Sequence, residues 1–446
     1  MADDTLLRLT VERMSYGADA IARSDDGKTV FVAGGVPGDT VIARVTSDGR
    51  TFSRAEVIEV EDPSPMRSTP ACPYAGACGG CPWAALSREG QLEAKRSNVV
   101  DALVRIGHLD VERAEGLVEP CEAPGRAWGY RNKVELACER RGGRALVGMH
   151  DRTGSGIVRV DACALLGDVR HAKLVKSVSG ALSYLSGSHE LGIDRVGIRV
   201  SRRTRDVEVA LWTSPGPFPR AQVAKVLGDA TRASSVVRVL SKGPRKARRV
   251  TGVERLSGKG HWEERLGDEL LTISAPSFFQ VNTDGAQRLV ELVCEGLRLS
   301  KDDEAMDLYC GAGTFTLPLA RRTAFVSAVE SQGPALRDLR RNLKRARLHN
   351  VDAVGGDAGR EFPDTDADVI VVDPPRAGLS EEVVERLCEQ PARAIAYVSC
   401  DPATLARDIA RFEAQGTFAA AYVTPVDLFP QTFHVETVTL MTRVRT

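Results

Sequence analysis

Residues 307–315 read DLYCGAGTF, which predicts a strand that ends in a glycine-rich turn where a helix begins. Downstream, apolar runs that favour strands recur at 324–329, 368–372 and 394–398, with helical stretches between them. Such regular alternation of strand and helix is typical of an open, mostly parallel sheet with helices on both faces. We therefore predict a doubly wound α/β domain from about residue 266 onward.

The glycine-rich turn also predicts a nucleoside-binding site. Glycines let the backbone approach a nucleotide-like ligand closely, and an acidic residue after the next strand accepts hydrogen bonds from a ribose diol. Glu330 stands at that place. Thr316 occupies the position of the third glycine in the dinucleotide fingerprint, which favours S-adenosylmethionine, a nucleoside without a phosphate to seat. A plain tight turn is the alternative.

Polar side chains follow three further predicted strands. In doubly wound sheets, ligands bind at the edge formed by the carboxyl ends of the strands. Asp373 begins the motif DPPRAG, where it would face the ligand. Cys400, in YVSCDPAT, would be a nucleophile if a nearby positive charge or helix start lowers the pKa of its thiol. Glu436, in FHVETV, is then a candidate general base, with His434 as a structural or substrate-contacting neighbour. The alternatives are a plain strand-to-helix turn at Asp373, a core cysteine at Cys400 and a solvated strand residue at Glu436.

A cluster of cysteines lies further upstream. Cys72, Cys78 and Cys81 follow the spacing C-x5-C-x2-C. Three thiols this close predict a metal or cluster site, because such sites need convergent thiolates. The spacing does not separate zinc from iron–sulfur, and the fourth ligand must come from Cys121, Cys138 or Cys163.

Three segments differ in pattern, and they predict three domains. Residues 1–62 alternate short β-prone runs with turn signals, which is typical of a small antiparallel barrel, and they carry more acidic than basic side chains. Residues 63–265 contain the cysteine cluster and a predicted helix over 88–106, followed by mixed helix and strand signals. Residues 266–446 form the predicted α/β domain.

The composition excludes several classes of protein. The chain has 446 residues, of which 43% are apolar and 27% charged, and 60 basic residues balance 60 acidic ones. These values exclude a fibrous or mostly disordered chain and a sequence-blind polycation. Apolar runs of transmembrane length and a signal-peptide pattern are both missing from the sequence. A cytoplasmic protein without membrane contact is therefore expected.

Two basic segments suit either a phosphate backbone or an ordinary solvated face. The first comprises Lys242, Arg245, Lys246, Arg248 and Arg249, and the second Arg337, Arg340, Arg341, Lys344, Arg345 and Arg347. The pattern of charge leaves both interpretations open.

Together these motifs resemble those of the RNA 5-methyluridine methyltransferases, bacterial enzymes that act on 23S ribosomal RNA and on the T-loop of transfer RNA. The resemblance covers nearly the whole chain and includes the cysteine cluster, SFFQVN at 277–282, DLYCGAGTF, DPPRAG, YVSCDPATLARD and HVET. It implies a Rossmann-like class I methyltransferase domain. An OB-like TRAM barrel and a mixed α+β central domain with the cysteine cluster would precede it.

The resemblance also implies cofactors, site residues and a partner. S-adenosylmethionine would be bound by Gln280, Tyr309, Thr314, Glu330, Asp357 and Asp373. A [4Fe-4S] cluster would be held by Cys72, Cys78, Cys81 and Cys163. Cys400 would attack carbon 6 of the uracil, and Glu436 would remove the proton at carbon 5. The implied partner is RNA, with 23S ribosomal RNA preferred over transfer RNA, and a monomer is expected.

Two other functions stay open. A 5-methylcytosine or amino-group methyltransferase also suits an Asp-Pro-Pro motif, although amino-group methylation needs no nucleophilic cysteine. An iron–sulfur RNA-binding module without catalysis would keep the cysteine cluster but would have no use for Cys400 and Glu436. Turnover of S-adenosylmethionine separates that module from an enzyme.

Overall fold

The structure is a computed structural model that describes residues 5–243 and 249–444. Its first five strands are β1 (Leu6–Met14), β2 (Ala20–Arg23), β3 (Thr29–Ala33), β4 (Thr40–Asp48) and β5 (Phe52–Asp62). They close into a barrel in the order β1-β2-β3-β5-β4. Val30, Val32, Val41 and Ala43 are buried inside it, because alternate side chains of a strand point to the same face. The predicted amino-terminal barrel is confirmed, but it is not wholly antiparallel, because β3 and β5 run parallel.

Two helices follow the cysteine-rich segment, α1 (Arg88–Arg105) and α2 (Val111–Leu117). The side chain of Ser87 accepts a hydrogen bond from the N–H of Gly90 and caps α1, where the sequence predicts a helix over 88–106. Both helices pack against the carboxy-terminal part of the chain. Leu103 and Leu117 lie in one apolar core with Phe412.

A sheet of seven strands forms the middle of the chain. Its strands are β6 (Lys133–Arg141), β7 (Arg144–His150), β8 (Ile157–Val158), β9 (Ile193–Val200), β10 (Val207–Thr213), β11 (Ser235–Lys242) and β12 (Arg249–Gly258). They are arranged in the order β12-β11-β10-β9-β6-β7-β8. The helices of this region are α3 (Val169–Ala172), α4 (Leu174–Ser186) and α5 (Arg220–Thr231). Leu182 of α4 and Leu227 of α5 share an apolar core with Val196 and Ile198 of β9.

A hairpin leads into the carboxy-terminal domain. Its strands are β13 (Trp262–Leu266) and β14 (Glu269–Ile273), so the predicted domain boundary after residue 265 falls within β13. Trp262 packs edge-to-face on Phe279, with ring centroids 5.7 Å apart. Both rings share an apolar core with Leu339, so the hairpin belongs physically to the domain that follows it.

The carboxy-terminal domain is a seven-stranded sheet with helices between its strands. The strands are β15 (Glu304–Leu308), β16 (Phe325–Glu330), β17 (Val351–Gly355), β18 (Val369–Val372), β19 (Ala394–Ser399), β20 (Phe418–Val426) and β21 (Glu436–Arg443). The helices are α6 (Thr283–Leu297), α7 (Thr316–Ala320), α8 (Gly333–Ala346), α9 (Glu381–Glu389) and α10 (Pro402–Gln415). The sheet order is β17-β16-β15-β18-β19-β21-β20, with β21 antiparallel to both of its neighbours.

The strand order of the carboxy-terminal sheet determines where a ligand can bind. From β15 the chain passes to β16 and β17 on one side, and then crosses to β18 and β19 on the other. A crevice opens outside the carboxyl ends of the strands where the order reverses, and ligands bind there. The predicted doubly wound sheet is thus confirmed, and its strand ends carry the motifs. Within residues 5–243 and 249–444, none of the helices has the length and apolar character needed to cross a membrane.

Candidate active site

The glycine-rich turn after β15 forms one wall of the crevice. Tyr309, Gly311 and Gly313 all have positive φ, of 67°, 57° and 101°. At Gly313 a Cβ would stand 2.4 Å from a methyl carbon of Leu317, so any other residue would both strain the backbone at this φ and displace that leucine. At Gly311 a Cβ would meet nothing within 4 Å, so the backbone there is open to a ligand.

Glu330, at the end of β16, faces this turn. Its side chain is nearly buried, and one carboxylate oxygen accepts a hydrogen bond of 2.8 Å from the N–H of Gly311. The other oxygen accepts a hydrogen bond from the N–H of Gln332. Each carboxylate oxygen keeps a further lone pair, so Glu330 can still accept hydrogen bonds from the hydroxyls of a ribose.

Two aspartates line the floor beneath the turn. Burial and, to a smaller extent, the nearby Glu330 together raise the pKa of Asp307 to about 7. Asp373 is affected in the same way, since burial together with Asp307 and Glu330 raises its pKa to about 7. One carboxyl oxygen of Asp307 accepts a hydrogen bond of 2.6 Å from Thr316, while the other has no partner among the described residues. Such paired acids with raised pKa values are typical of functional sites.

The segment between β14 and α6, which contains Gln280, packs beside the glycine-rich turn, since Phe279 shares an apolar core with Cys310 and Ala312. Gln280 is 3% exposed, and its side-chain oxygen has no hydrogen-bond partner among the described residues. The backbone of Gln280 is held by the amide of Asn132, which donates to its carbonyl at 2.9 Å. Because a buried unpaired amide is costly, a bound ligand that donates a hydrogen bond would complete this group.

The remaining predicted cofactor residues surround the same crevice. Tyr309 is half-buried, and burial raises its pKa to about 12, with Asp357 adding to the effect. Asp357 is exposed, and its carboxylate accepts a hydrogen bond of 3.0 Å from the N–H of Gly359. Thr314 is half-buried in the glycine turn. Five predicted cofactor residues thus lie at the carboxyl ends of the parallel strands, on one edge of the sheet, namely Tyr309, Thr314, Glu330, Asp357 and Asp373, while Gln280 belongs to the segment beside the glycine-rich turn.

Cys400 and Glu436 meet at this edge because of strand register. Strands β19 and β21 are antiparallel, and Ser399 pairs with Thr437. One step further along both strands, Cys400 stands opposite Glu436. Directly opposite residues of an antiparallel pair project from the same face, so the thiol and the carboxyl group face one another.

Burial holds both groups in their protonated forms. Glu436 is 3% exposed, and burial raises its pKa well above the usual value, with Asp373 adding to the shift and Arg376 opposing it. Burial and, to a smaller extent, Glu436 together raise the pKa of Cys400 to about 12, with Arg376 again opposing the shift. Arg376 supplies the nearby positive charge that lowers the pKa of the thiol, but in the free protein desolvation by burial outweighs the guanidinium.

Similar sequences cover the whole length of the chain. The family described as tRNA (uracil-5-)-methyltransferase matches residues 270–362 and 356–444, and the TRAM domain matches residues 5–58. An RNA methyltransferase of Thermosynechococcus vestitus is 34% identical, and the alignment covers 98% of each chain. One from Gloeobacter violaceus is also 34% identical, over 97% of this chain and 95% of its own. The chain belongs to the RNA uracil-5-methyltransferase family.

A solved protein has a similar fold over nearly all of this RNA methyltransferase. It is the tRNA (uracil-54, C5)-methyltransferase of Pyrococcus abyssi in complex with S-adenosyl-L-homocysteine, with 25% sequence identity and a TM-score of 0.75. The match covers 97% of this chain and 99% of that one. S-adenosyl-L-homocysteine is what S-adenosylmethionine becomes when it gives up its methyl group. The family and this neighbour together support S-adenosylmethionine as the methyl donor.

Sequence reasoning missed two side chains of the site. Arg376 belongs to DPPRAG but received no role, and one of its terminal nitrogens lies 3.4 Å from Nδ1 of His434. Tyr16 comes from the barrel, and its hydroxyl donates to the carbonyl oxygen of Cys400 at 3.4 Å. The motif itself could have indicated Arg376. No local pattern indicates Tyr16, because almost the whole chain separates it from Cys400.

The predicted cluster cysteines come together in the structure. The thiol of Cys163 interacts electrostatically with those of Cys72, Cys78 and Cys81. The two other candidates for the fourth ligand show no such interaction with the three thiols, since the pKa of Cys121 responds to Lys95 and Arg88 and that of Cys138 to Glu139. In the described part of the chain, no group of three or more histidine, cysteine, aspartate or glutamate side chains could hold a metal ion. The iron–sulfur site is therefore not confirmed and stays a prediction.

The two basic segments have different outcomes. Arg245, Lys246 and Arg248 of the first segment lie outside the described residues. The second segment lies on α8, whose leucines at 336, 339 and 343 are buried while its basic side chains are mostly exposed. Neither observation separates a phosphate contact from a solvated face.

Proposed function

We propose that this enzyme methylates carbon 5 of a uridine in RNA through a covalent adduct at Cys400. The register of β19 and β21, which sets Cys400 opposite the buried Glu436, is the observation that carries this proposal. Carbon 5 of uracil is too weak a nucleophile to take a methyl group unaided, so it must first be activated. A thiol and a carboxyl group on one face, next to a nucleoside-binding turn, are the groups that such activation needs.

The covalent scheme has three steps. The Cys400 thiolate adds to carbon 6, and the electron pair of the carbon 5–carbon 6 double bond becomes an enolate with nucleophilic character at carbon 5. S-adenosylmethionine, when bound, supplies the methyl group that carbon 5 accepts. The Glu436 carboxylate then removes the remaining proton at carbon 5, and the released electron pair restores the double bond and expels the thiolate. Cys400 thus returns unchanged, with the proton left on Glu436.

The surroundings of Cys400 and Glu436 control their protons. Both groups have raised pKa values in the free protein, and Arg376 is the cation that opposes both shifts. The thiol must release its proton to solvent before it attacks, and Glu436 must likewise have released its proton to solvent before it accepts the one from carbon 5. We assign to Arg376 the role of stabilising these two negative charges.

The methyl donor fits the crevice described above. The unpaired oxygen of Gln280, the open space at Gly311 and the free lone pairs of Glu330 suit the amino-acid and nucleoside groups of S-adenosylmethionine. Tyr309, Thr314, Asp357 and Asp373 complete the proposed binding residues. These residues would bind and orient the donor, while Cys400 and Glu436 act on the uracil.

The four converging thiols support a [4Fe-4S] cluster on Cys72, Cys78, Cys81 and Cys163. Each thiolate of such a cluster binds a different iron, so the four stand further apart than the ligands of one metal ion. The N–H of Gly80 donates to the sulfur of Cys78 at 3.4 Å, a contact that also stabilises cluster thiolates. The cluster would hold residues 72–81 against the middle sheet.

For the substrate we propose a uridine of 23S ribosomal RNA, on the combination of a barrel with a cysteine cluster. A uridine of transfer RNA is the second candidate. The structural similarity to the P. abyssi tRNA (uracil-54, C5)-methyltransferase supports this second candidate, since the similarity covers 97% of this chain.

One experiment tests both the reaction and the substrate. Nucleoside mass spectrometry of separated 23S and transfer RNA would compare cells with and without this gene, with a plasmid copy of the gene as the control. Loss of 5-methyluridine from one fraction, and its return with the plasmid, identifies the RNA. If neither fraction changes, uridine in these RNAs is not the target. A plasmid carrying Cys400→Ala that restores the modification would rule out the covalent scheme.

A further inference from the structure

Tyr16 connects the amino-terminal barrel to the catalytic groups. It lies in the loop between β1 and β2, and its hydroxyl donates to the carbonyl oxygen of Cys400 at 3.4 Å. Its ring meets that of Phe433 edge-to-face, with centroids 5.7 Å apart. Phe433 lies three residues before Glu436. One side chain of the barrel therefore contacts the segments that carry the proposed nucleophile and the proposed base.

The loop that carries Tyr16 is held on both sides. The amide of Asn98, on α1, donates to the carbonyl of Ser15 at 3.3 Å. The indole N–H of Trp83, in the cysteine-rich segment, donates to the carbonyl of Gly17 at 2.9 Å. Asn98 and Trp83 are both buried. Two buried donors on either side of one residue fix its position, so the approach of Tyr16 to Cys400 is built into the fold.

The pKa of the Tyr16 hydroxyl is affected by burial and by Arg376 in the same directions as those of the proposed catalytic groups, Cys400 and Glu436. Burial raises the pKa of Tyr16 well above its usual value, Asp401 and Cys400 raise it further, and Arg376 opposes the shift. The hydroxyl is thus a neutral hydrogen-bond donor across the pH range in which enzymes work. Asp401 caps α10 by accepting the N–H of Ala403 at 2.9 Å, so the Cys400 turn is held by α10 on one side and by Tyr16 on the other.

We propose that Tyr16 is a positioning residue for the methylation reaction. Its hydroxyl orients the Cys400 peptide, and with it the thiol, while its ring and that of Phe433 form one side of the space that receives the target uracil. The barrel therefore completes the catalytic site in addition to any contact it makes with RNA. This inference rests on the proposed role of Cys400.

The test compares Tyr16→Phe, Tyr16→Ala and a matched control, Tyr184→Phe, which alters a tyrosine that is 70% exposed on α4. Initial rates of methyl transfer to transcripts of 23S and transfer RNA give kcat and KM for the RNA. Loss of a single hydrogen bond to the Cys400 carbonyl should lower kcat of Tyr16→Phe by about 3- to 10-fold without a change in KM. Loss of the ring as well should lower kcat of Tyr16→Ala by about 100-fold, as expected for a misplaced nucleophile.

A second readout isolates the attack by Cys400. A transcript with 5-fluorouridine at the target has no proton for the base to remove, so it stays bound to Cys400 after methyl transfer. The rate at which this gel-stable adduct forms should fall in both Tyr16 variants by the same factor as kcat. Thermal unfolding should show that Tyr16→Phe, which keeps the ring, is folded like the wild type.

The outcomes separate this inference from the proposed function. If the wild type forms neither 5-methyluridine nor an adduct on either RNA, the proposed function fails. If the wild type is active and both Tyr16 variants keep its kcat, only the positioning role is wrong. A loss confined to KM for RNA also overturns that role, because it would show an RNA contact without an effect on Cys400. If Tyr16→Ala does not fold, the kcat of Tyr16→Phe alone tests the positioning role.

Discussion

Glu436 is the residue at which stability and the proposed chemistry conflict most directly. Its carboxyl group is 3% exposed, and one oxygen has no hydrogen-bond partner among the described residues. An unpaired buried carboxyl group destabilises a fold, so such groups are retained mainly where a reaction needs them. The neighbouring Arg376 offsets part of the cost without removing it.

Replacing Glu436 by glutamine tests its role as the base. Glu436→Gln keeps the size of the side chain but cannot accept the proton from carbon 5. We expect methyl transfer to proceed and the protein to stay covalently bound to RNA, with turnover lowered by about 100-fold or more. A denaturing gel with labelled RNA would show the adduct. Glu190→Gln, at a side chain that is 83% exposed, should form none, and a Glu436→Gln enzyme that turns over without an adduct would contradict the assignment.

The protonation of Cys400 predicts a pH dependence. Its pKa of about 12 means that the thiol form dominates below that value and that the reactive thiolate grows as the pH rises. The rate at which iodoacetamide alkylates Cys400 in the folded protein is measured by mass spectrometry of the peptide that contains this residue. This rate should still increase with pH between pH 9 and 10, above the ordinary cysteine pKa of about 8.5. Removing the opposing charge with Arg376→Leu should slow alkylation at each pH. A plateau near pH 8.5 would show that the thiol is not shielded.

At the scale of elements, α1 holds the segment between β20 and β21 in place. Lys95 of α1 is buried and forms an ion pair with Asp427, and its ammonium group also donates to the carbonyl of Phe429 at 3.1 Å. One helical turn earlier, the side chain of Gln91 accepts the N–H of Gln431 at 2.7 Å. These contacts fix the segment that ends at Glu436, so α1 supports the catalytic geometry from outside the parallel sheet.

Breaking the buried ion pair should destabilise the protein. Lys95→Met removes the charge that compensates Asp427 while leaving Arg88 as its partner. We expect the free energy of unfolding to fall by about 3 kcal/mol, because the buried Asp427 carboxylate then keeps only the Arg88 guanidinium to compensate its charge. Denaturant unfolding measures this, with Lys176→Met, at a side chain that is 69% exposed, as the control. Equal stability of the two variants would mean that Arg88 alone compensates Asp427.

At the scale of the whole molecule, the proposed cluster joins distant parts of the chain. Cys163 follows β8, whereas the other three thiols precede α1. We expect Cys163→Ser to lower the iron and acid-labile sulfide of anaerobically purified protein to well below half of the wild-type content, because a four-iron cluster needs its fourth thiolate. Cys121→Ser and Cys138→Ser are matched controls and should keep the wild-type content. An unchanged iron content in Cys163→Ser would exclude it from the ligands.

The sequence predicted much of the fold and of the candidate site, and the reasons are local. The strands at 324–329, 368–372 and 394–398 were predicted to within a residue or so, because buried parallel strands are continuous apolar runs bounded by turns. The cofactor turn was predicted because only glycine suits the backbone at Gly313. The packing of α1 and α2 against the carboxy-terminal core was not predicted, since an amphipathic helix does not indicate which surface it covers.

The sequence by itself determined the amino-terminal barrel, the alternation of strands and helices in the carboxy-terminal domain, the glycine-rich turn and the residue types that the proposed chemistry needs, because each of these depends on neighbours within a few positions of the chain. Only the tertiary structure decided that Cys400 lies close to Glu436, that the thiol of Cys163 comes close to those of Cys72 and Cys78, and that Tyr16 reaches the Cys400 turn. These contacts join residues far apart in the chain, and they form only when strand register and packing bring the segments together. The raised pKa of Cys400 has the same origin, since burial is a property of the folded molecule.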